Sequence, residues 1–141
     1  MRRKEGVTMK TVFRDKHNME CIFTDEGIIF CDNRRDVFYP YGGLDSINLS
    51  LLGVMQAVCN KQVCCFNSGR QDKAEMKKMV QFAKDAREKM PMGEPVTIEK
   101  ASLQVDESLP AEEQLKQFKA MFVQGMMSKA QYDLKKKILQ D

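Results

Sequence analysis

Three cysteines fall close together, Cys59, Cys64 and Cys65, and thiols at short spacing are the usual raw material of a zinc or redox site. A structural zinc site needs a first pair of ligands about two to four residues apart and a second pair at a distance. Here the gap of four residues between Cys59 and Cys64 occurs once, with no second pair. If 63–66 is a strand, Cys64 and Cys65 point to opposite faces. The thiols are therefore read as small apolar side chains, buried and reduced. With Cys21 and Cys31 they make an odd set of five without framework spacing, which suits a reducing cytoplasm. His17 is the only histidine and lies in the polar run Asp15-Lys16-His17-Asn18. A Cys–His nucleophile needs both groups within hydrogen-bond reach, and nothing in the sequence brings them together. Gly42-Gly43 lacks the further glycines, lysine and hydroxyl of a phosphate loop. No catalytic residue, metal ligand or cofactor site is assigned, and the chain is expected not to be an enzyme.

Charge says little more. A net charge of +3 over 141 residues is mild. Lys135-Lys136-Lys137 has no interleaved aromatics, so it reads as a solvated helix face and nucleic acid is not expected. The distribution is uneven. Residues 1–14 carry Arg2, Arg3, Lys4, Lys10 and Arg14 against Glu5, whereas 91–110 carries Glu94, Glu99, Asp106 and Glu107 against Lys100. No apolar run approaches the roughly 18–20 residues of a membrane span, and the basic start lacks a signal-peptide core, so a cytoplasmic protein is expected.

The elements that must position these residues alternate strand and turn over the first half. Strands are predicted over 7–14, 19–24, 28–31, 37–41, 47–51, 54–59 and 63–66. Turns are read at Asp15–Asn18, Asp25–Gly27, Asp32–Arg35, Gly42-Gly43 and Asn60-Lys61. Pro40 marks its segment as an edge or a strand end. The period then changes. Asp72 with Glu75 makes a helix start, Met76, Met79, Val80, Ala83, Ala86 and Met90 share one face, and Pro91 ends the helix. Residues 91–110 read as an acidic tether, with Val96–Ile98 a short extended piece at most. Beyond it Pro110 opens one helix, Gly125 ends it, and Ser128 with Gln131 caps the next.

The order of elements over 7–90, with the stretch CIFTDEGIIFCDNRRDVFYPYGGLDSI, resembles the pleckstrin-homology-like superfold in its small bacterial and GRAM-like versions. The stretch EEQLKQFKAMFVQGMMSKAQYDLKKKIL resembles the short C-terminal (SHOCT) domain family, with Gly125, Met127, Tyr132 and Lys136 where that family has its glycine, isoleucine, aromatic and lysine. The fold expected is α+β. A curved antiparallel sheet or partial barrel of about seven strands, capped by one helix, occupies 1–90; a linker follows over 91–110 and a helical hairpin over 111–141. By the first resemblance Lys10, Arg14 and Lys16 could contact an anionic lipid, giving a peripheral membrane module as the alternative. By the second, the tail should mediate self-association into a homo-oligomer. A hairpin of about thirty residues is too small to hold a core alone. The seam expected between copies is Leu115, Phe118, Met121, Phe122, Met127, Tyr132, Ile138 and Leu139. The function expected is that of a non-catalytic interaction protein whose body binds a protein partner.

Overall fold

The computed structural model describes residues 10–103 and 105–140, so the Val7–Met9 part of the first expected strand lies outside the described residues. Strands β1 (Lys10–Arg14), β2 (Glu20–Thr24), β3 (Gly27–Cys31) and β4 (Arg35–Pro40) follow one another, each antiparallel to the last. Their turns are built from short polar side chains. The Asp32 carboxylate accepts the N–H groups of Arg34 and Arg35 at 2.8 Å each, closing β3 onto β4. Strands β5 (Leu44–Leu49), β6 (Val54–Cys59) and β7 (Gln62–Asn67) form a second antiparallel run. Asn60 and Lys61 sit at φ 52° and 69°, the left-handed pair whose twist suits a two-residue hairpin, and so set Cys59 opposite Gln62.

The expected single curved sheet is in fact two sheets, and they do not close. A 3₁₀ turn at Tyr41–Gly43 separates β4 from β5, leaving a five-stranded sheet of order β1-β2-β3-β4-β8 and a three-stranded sheet of order β5-β6-β7. Helix α1 (Lys73–Lys89) buries Met76, Met79, Val80 and Ala83 in the core between them, against Phe23, Ile28, Tyr41, Ile47 and Phe66 among others. Ala86 and Met90 continue the same face and pack partly buried against that core.

The fifth strand of the first sheet comes from the stretch expected as a tether. Strand β8 (Val96–Glu99) lies antiparallel to β4, with Ile98 opposite Asp36 and Val96 opposite Phe38. Pairing with β4 satisfies backbone groups that a free linker would leave to water, and it turns the apolar side chains of Val96 and Ile98 onto the sheet's outer face. β4 thereby becomes an interior strand, with Pro40 at its end.

That outer face is apolar too. Along β2 and β3, Cys21, Phe23, Ile28 and Phe30 point to the inner core, while Ile22, Ile29 and Cys31 point away from it. With Phe38 and Ile98 they meet Leu134 and Ile138 of helix α3 (Lys129–Leu139). Helix α2 (Ala111–Val123) packs beside α3. Phe118, Met121 and Met127 are buried with Leu103, Val105, Tyr132 and Leu139, and the Phe122 and Tyr132 rings stack at 5.4 Å. Three of the eight residues expected at an intermolecular seam are thus buried within the chain's own fold, and Ile138 packs on the sheet. The small helix pair finds its missing core on the protein's own body.

The lysine run is likewise not a solvated face. Lys135 is buried, its Nζ 2.5 Å from the Asp36 carboxylate, with side-chain exposures of 8% and 2%. Lys135 also lies over the Phe118 ring at 5.1 Å, and Lys137 over Phe38 at 4.4 Å while pairing with Glu26. Lys100 approaches Asp36 from β8's side at 3.8 Å. Removing one partner of a buried pair strands the other charge, which costs about 3–5 kcal/mol. Lys135→Met should therefore lower the urea midpoint steeply, by about 3 kcal/mol of stability. Asp36→Leu with Lys135→Met should recover most of that loss. A single variant as stable as the parent would show that the pair does not hold α3 down.

Candidate functional site

Strand β7 is an edge of the smaller sheet, paired among the described residues with β6 alone. Its register alternates in use. Gln62, Cys64 and Phe66 lie opposite Cys59, Ala57 and Met55. A two-residue hairpin closes on a hydrogen-bonded pair, so these residues bond their backbones to β6, and Val63 and Cys65 turn theirs outward. The side chains alternate as well: Phe66 is buried and Cys64 half-buried, while Val63 and Cys65 are exposed.

Between β7 and the β3–β4 end of the larger sheet lies a cleft of about 420 Å³. Phe30, Val37 and Tyr39 line its floor, Met19 and Val63 its sides, and Asp32, Arg35 and Gln62 give it polar groups. This is the size of a small-ligand or side-chain pocket, and its lining mixes polar and apolar groups.

Two of the cleft's groups, Cys64 and Tyr39, are held in their neutral forms. The Cys64 thiol donates to the Tyr39 phenol oxygen at 3.3 Å. Burial pushes the Cys64 thiol up, and the Tyr39 hydrogen bond and Arg35 charge offset this only in part. Burial and then the Cys64 neighbour push the Tyr39 phenol up as well. Thiol nucleophilicity belongs to the thiolate, so at neutral pH this arrangement offers a hydrogen-bonding floor and not an attacking group. The other buried thiols follow the same rule. Cys59 is pushed up to about 11 by burial and nearby Asp45. Cys31 is raised by burial and by Asp36, and Cys21 by burial and Cys31.

The residues singled out from sequence are dispersed. His17 is exposed in the β1–β2 turn, its N–H bonded to the Asp15 carboxylate at 2.8 Å. Among the described residues no group of three or more His, Cys, Asp or Glu side chains is placed to hold a metal ion. Lys10 and Arg14 lie at opposite ends of β1. Lys10 Nζ donates to the Ile138 and Gln140 carbonyls, 3.0 and 2.7 Å, at the α3 C-terminus, and Arg14 pairs with Glu20 at 2.5 Å. Lys16 is exposed in the turn beyond. Gly42-Gly43 serves the fold, since a Cβ on either would run into the carbonyls of Pro91 and Gly93.

Three features escaped the sequence. The cleft joins β4 to β7 across the two sheets, so no local pattern marks it. The alternation over 47–51 makes Leu51 the end of a strand, but the chain turns at Ser50–Gly53 and leaves Leu51 and Leu52 exposed at its apex. Cys65, expected to be buried like its fellows, is exposed, as the alternation with Cys64 requires.

Accessibility and pKa together rank the thiols. Iodoacetamide at neutral pH should alkylate Cys65 first, Cys64 far more slowly, and Cys21, Cys31 and Cys59 only after denaturation, as read by peptide mass spectrometry. Equal rates at Cys64 and Cys65 would contradict the Tyr39–Cys64 arrangement. No family model matches this chain, and neither the curated proteins nor the solved structures yield a match.

Proposed function

We propose that the chain is a non-catalytic interaction protein of the cytoplasm whose body holds an extended segment of a partner protein along β7. The observation that carries this reading is the edge of β7 beside the cleft, paired among the described residues with β6 alone. Sheet edges are usually blunted by proline, lysine, a bulge or a covering element. β7 has no proline or lysine, and its register with β6 runs unbroken over six residues. An incoming strand would bond to the outward backbone of Val63 and Cys65, and its alternate side chains would reach the cleft. Asp32 and Arg35 at that cleft give polar groups of both signs to fix the register. The pleckstrin-homology-like resemblance belongs to this proposal and is in keeping with two antiparallel sheets and a helix packed into their core.

The tail keeps a second reading. Val123 and Met126 are 74% and 53% exposed around Gly125, which takes φ 79° at the turn between α2 and α3. With the inner residues of the pair already buried, self-association of the SHOCT-like tail would use this apolar apex.

A random-peptide library selected on the full chain tests the first reading. Bound peptides should shift the Val63 and Cys65 amides most in an NMR titration. Val63→Pro, which removes an outward N–H without touching the β6 pairing, should weaken them by about tenfold or more. Peptides that bind this variant as well as the parent would move the site elsewhere. Light scattering tests the second. If the tail assembles, Val123→Ser with Met126→Ser should reduce the mass to that of a monomer, and an unchanged oligomer would exclude this apex.

A further inference from the structure

The β5–β6 turn places two leucines, Leu51 and Leu52, at its apex with 88% and 71% of their surface exposed. Turns facing water favour Gly, Asn, Asp, Ser and Pro, so two adjacent leucines are an unusual choice. Their backbone is hydrogen-bonded from within the fold. The N–H groups of Leu52 and Val54 bond to the Ser50 hydroxyl at 3.2 and 3.1 Å, and the Gly53 N–H to the Ser50 carbonyl at 3.1 Å. The Leu51 carbonyl accepts Lys73 Nζ at 2.7 Å. The Gly53 carbonyl accepts both the N–H and the hydroxyl of Ser68 at 2.9 Å. Satisfying backbone polar groups from within is the condition for entering a medium that holds no water.

Cations flank the apex. The Ser68–Arg70 segment abuts the leucine turn so closely that a Cβ on Gly53 would lie 2.7 Å from the Gly69 carbonyl. Residues 70–78 carry Arg70, Lys73, Lys77 and Lys78 against Asp72 and Glu75, a local excess of two positive charges. A lysine at such a boundary can lay its stem along apolar surface and keep its head in the headgroup layer. A convex apex of two side chains is far short of the roughly 800 Å² per partner of a stable protein interface. Shallow insertion beside anionic headgroups needs only a few apolar groups and nearby cations.

We propose that the β5–β6 turn inserts Leu51 and Leu52 into the interfacial layer of an anionic bilayer, with Arg70 and Lys73 against the lipid phosphates. The site is independent of the β7 edge and does not use Lys10, Arg14 or Lys16.

The chain has no tryptophan, so Leu52→Trp supplies a probe without background. With phosphatidylserine-rich vesicles its emission should shift to the blue, and with phosphatidylcholine alone or at high salt the shift should fade. In sedimentation, Leu51→Ser with Leu52→Ser should bind the anionic vesicles about tenfold more weakly than the parent or worse. Its melting should be unchanged because both side chains are exposed. A variant with Lys10, Arg14 and Lys16 changed to alanine should bind as the parent does. The proposal falls if the parent does not bind phosphatidylserine vesicles, or if the serine variant binds them equally. It falls too if the tryptophan shows no shift, or if the serine change instead dissolves an oligomer and so marks the apex as a protein contact. Should the serine variant melt early, the tryptophan shift decides by itself.

Discussion

The five-stranded sheet has two apolar faces, and every other part of the molecule answers to that fact. A sheet with one apolar face is satisfied by a single layer; one with two must be covered twice, as in sheets flanked on both sides. The smaller sheet and α1 supply one layer. The other is supplied by α3, whose Leu134 and Ile138 cover Ile22, Ile29 and Phe38. The apolar side of the helix pair and the outer face of the sheet thus cover one another.

The Asp36–Lys135 pair fixes where that second layer sits. Apolar contact is not directional, so α3 could slide over Ile29 and Phe38 at small cost. A carboxylate and an ammonium, both buried, allow little such freedom, because a shift takes the Lys135 ammonium off its carboxylate in a poor dielectric. Around the pair the lysines extend the same logic: Lys137 reaches Glu26 across the Phe38 ring, and Lys10 holds the last carbonyls of α3. The cations of this run thus act as fasteners, and the field they would have offered to an anionic ligand is spent inside the fold.

Much of the architecture was legible where its causes are local. Polar turns and the Asn60-Lys61 hairpin place seven strands to within about three residues at their described ends, the apolar stripe from Met76 to Ala83 places α1, and Ser128 with Gln131 forms the capping box expected. Asp72 precedes α1 as expected, but its side chain makes no capping bond. What remained hidden depends on partners far along the chain. The unbroken apolar runs of β2 and β3 were the available sign that both faces are covered, since a half-exposed strand would alternate. Lys135 looks like its neighbours until Asp36 is set beside it. The acidic surroundings of β8 argue for a tether, whereas the edge of β4 decides its fate. The cleft could not be foreseen, because its floor and its wall come from different sheets.

Asp36 and Lys135 are 99 residues apart, and this separation has a consequence for synthesis. A chain made from its amino end exposes the outer face of β2, β3 and β4 long before residue 135 has been polymerised. At about 5–20 residues per second that face waits several seconds with Ile22, Ile29 and Phe38 uncovered, an interval in which a nascent chain can aggregate or meet a chaperone. The second layer can close only after α3 has left the ribosome. Completion of this fold is therefore a late event, set by translation as much as by the chain's own rate of collapse.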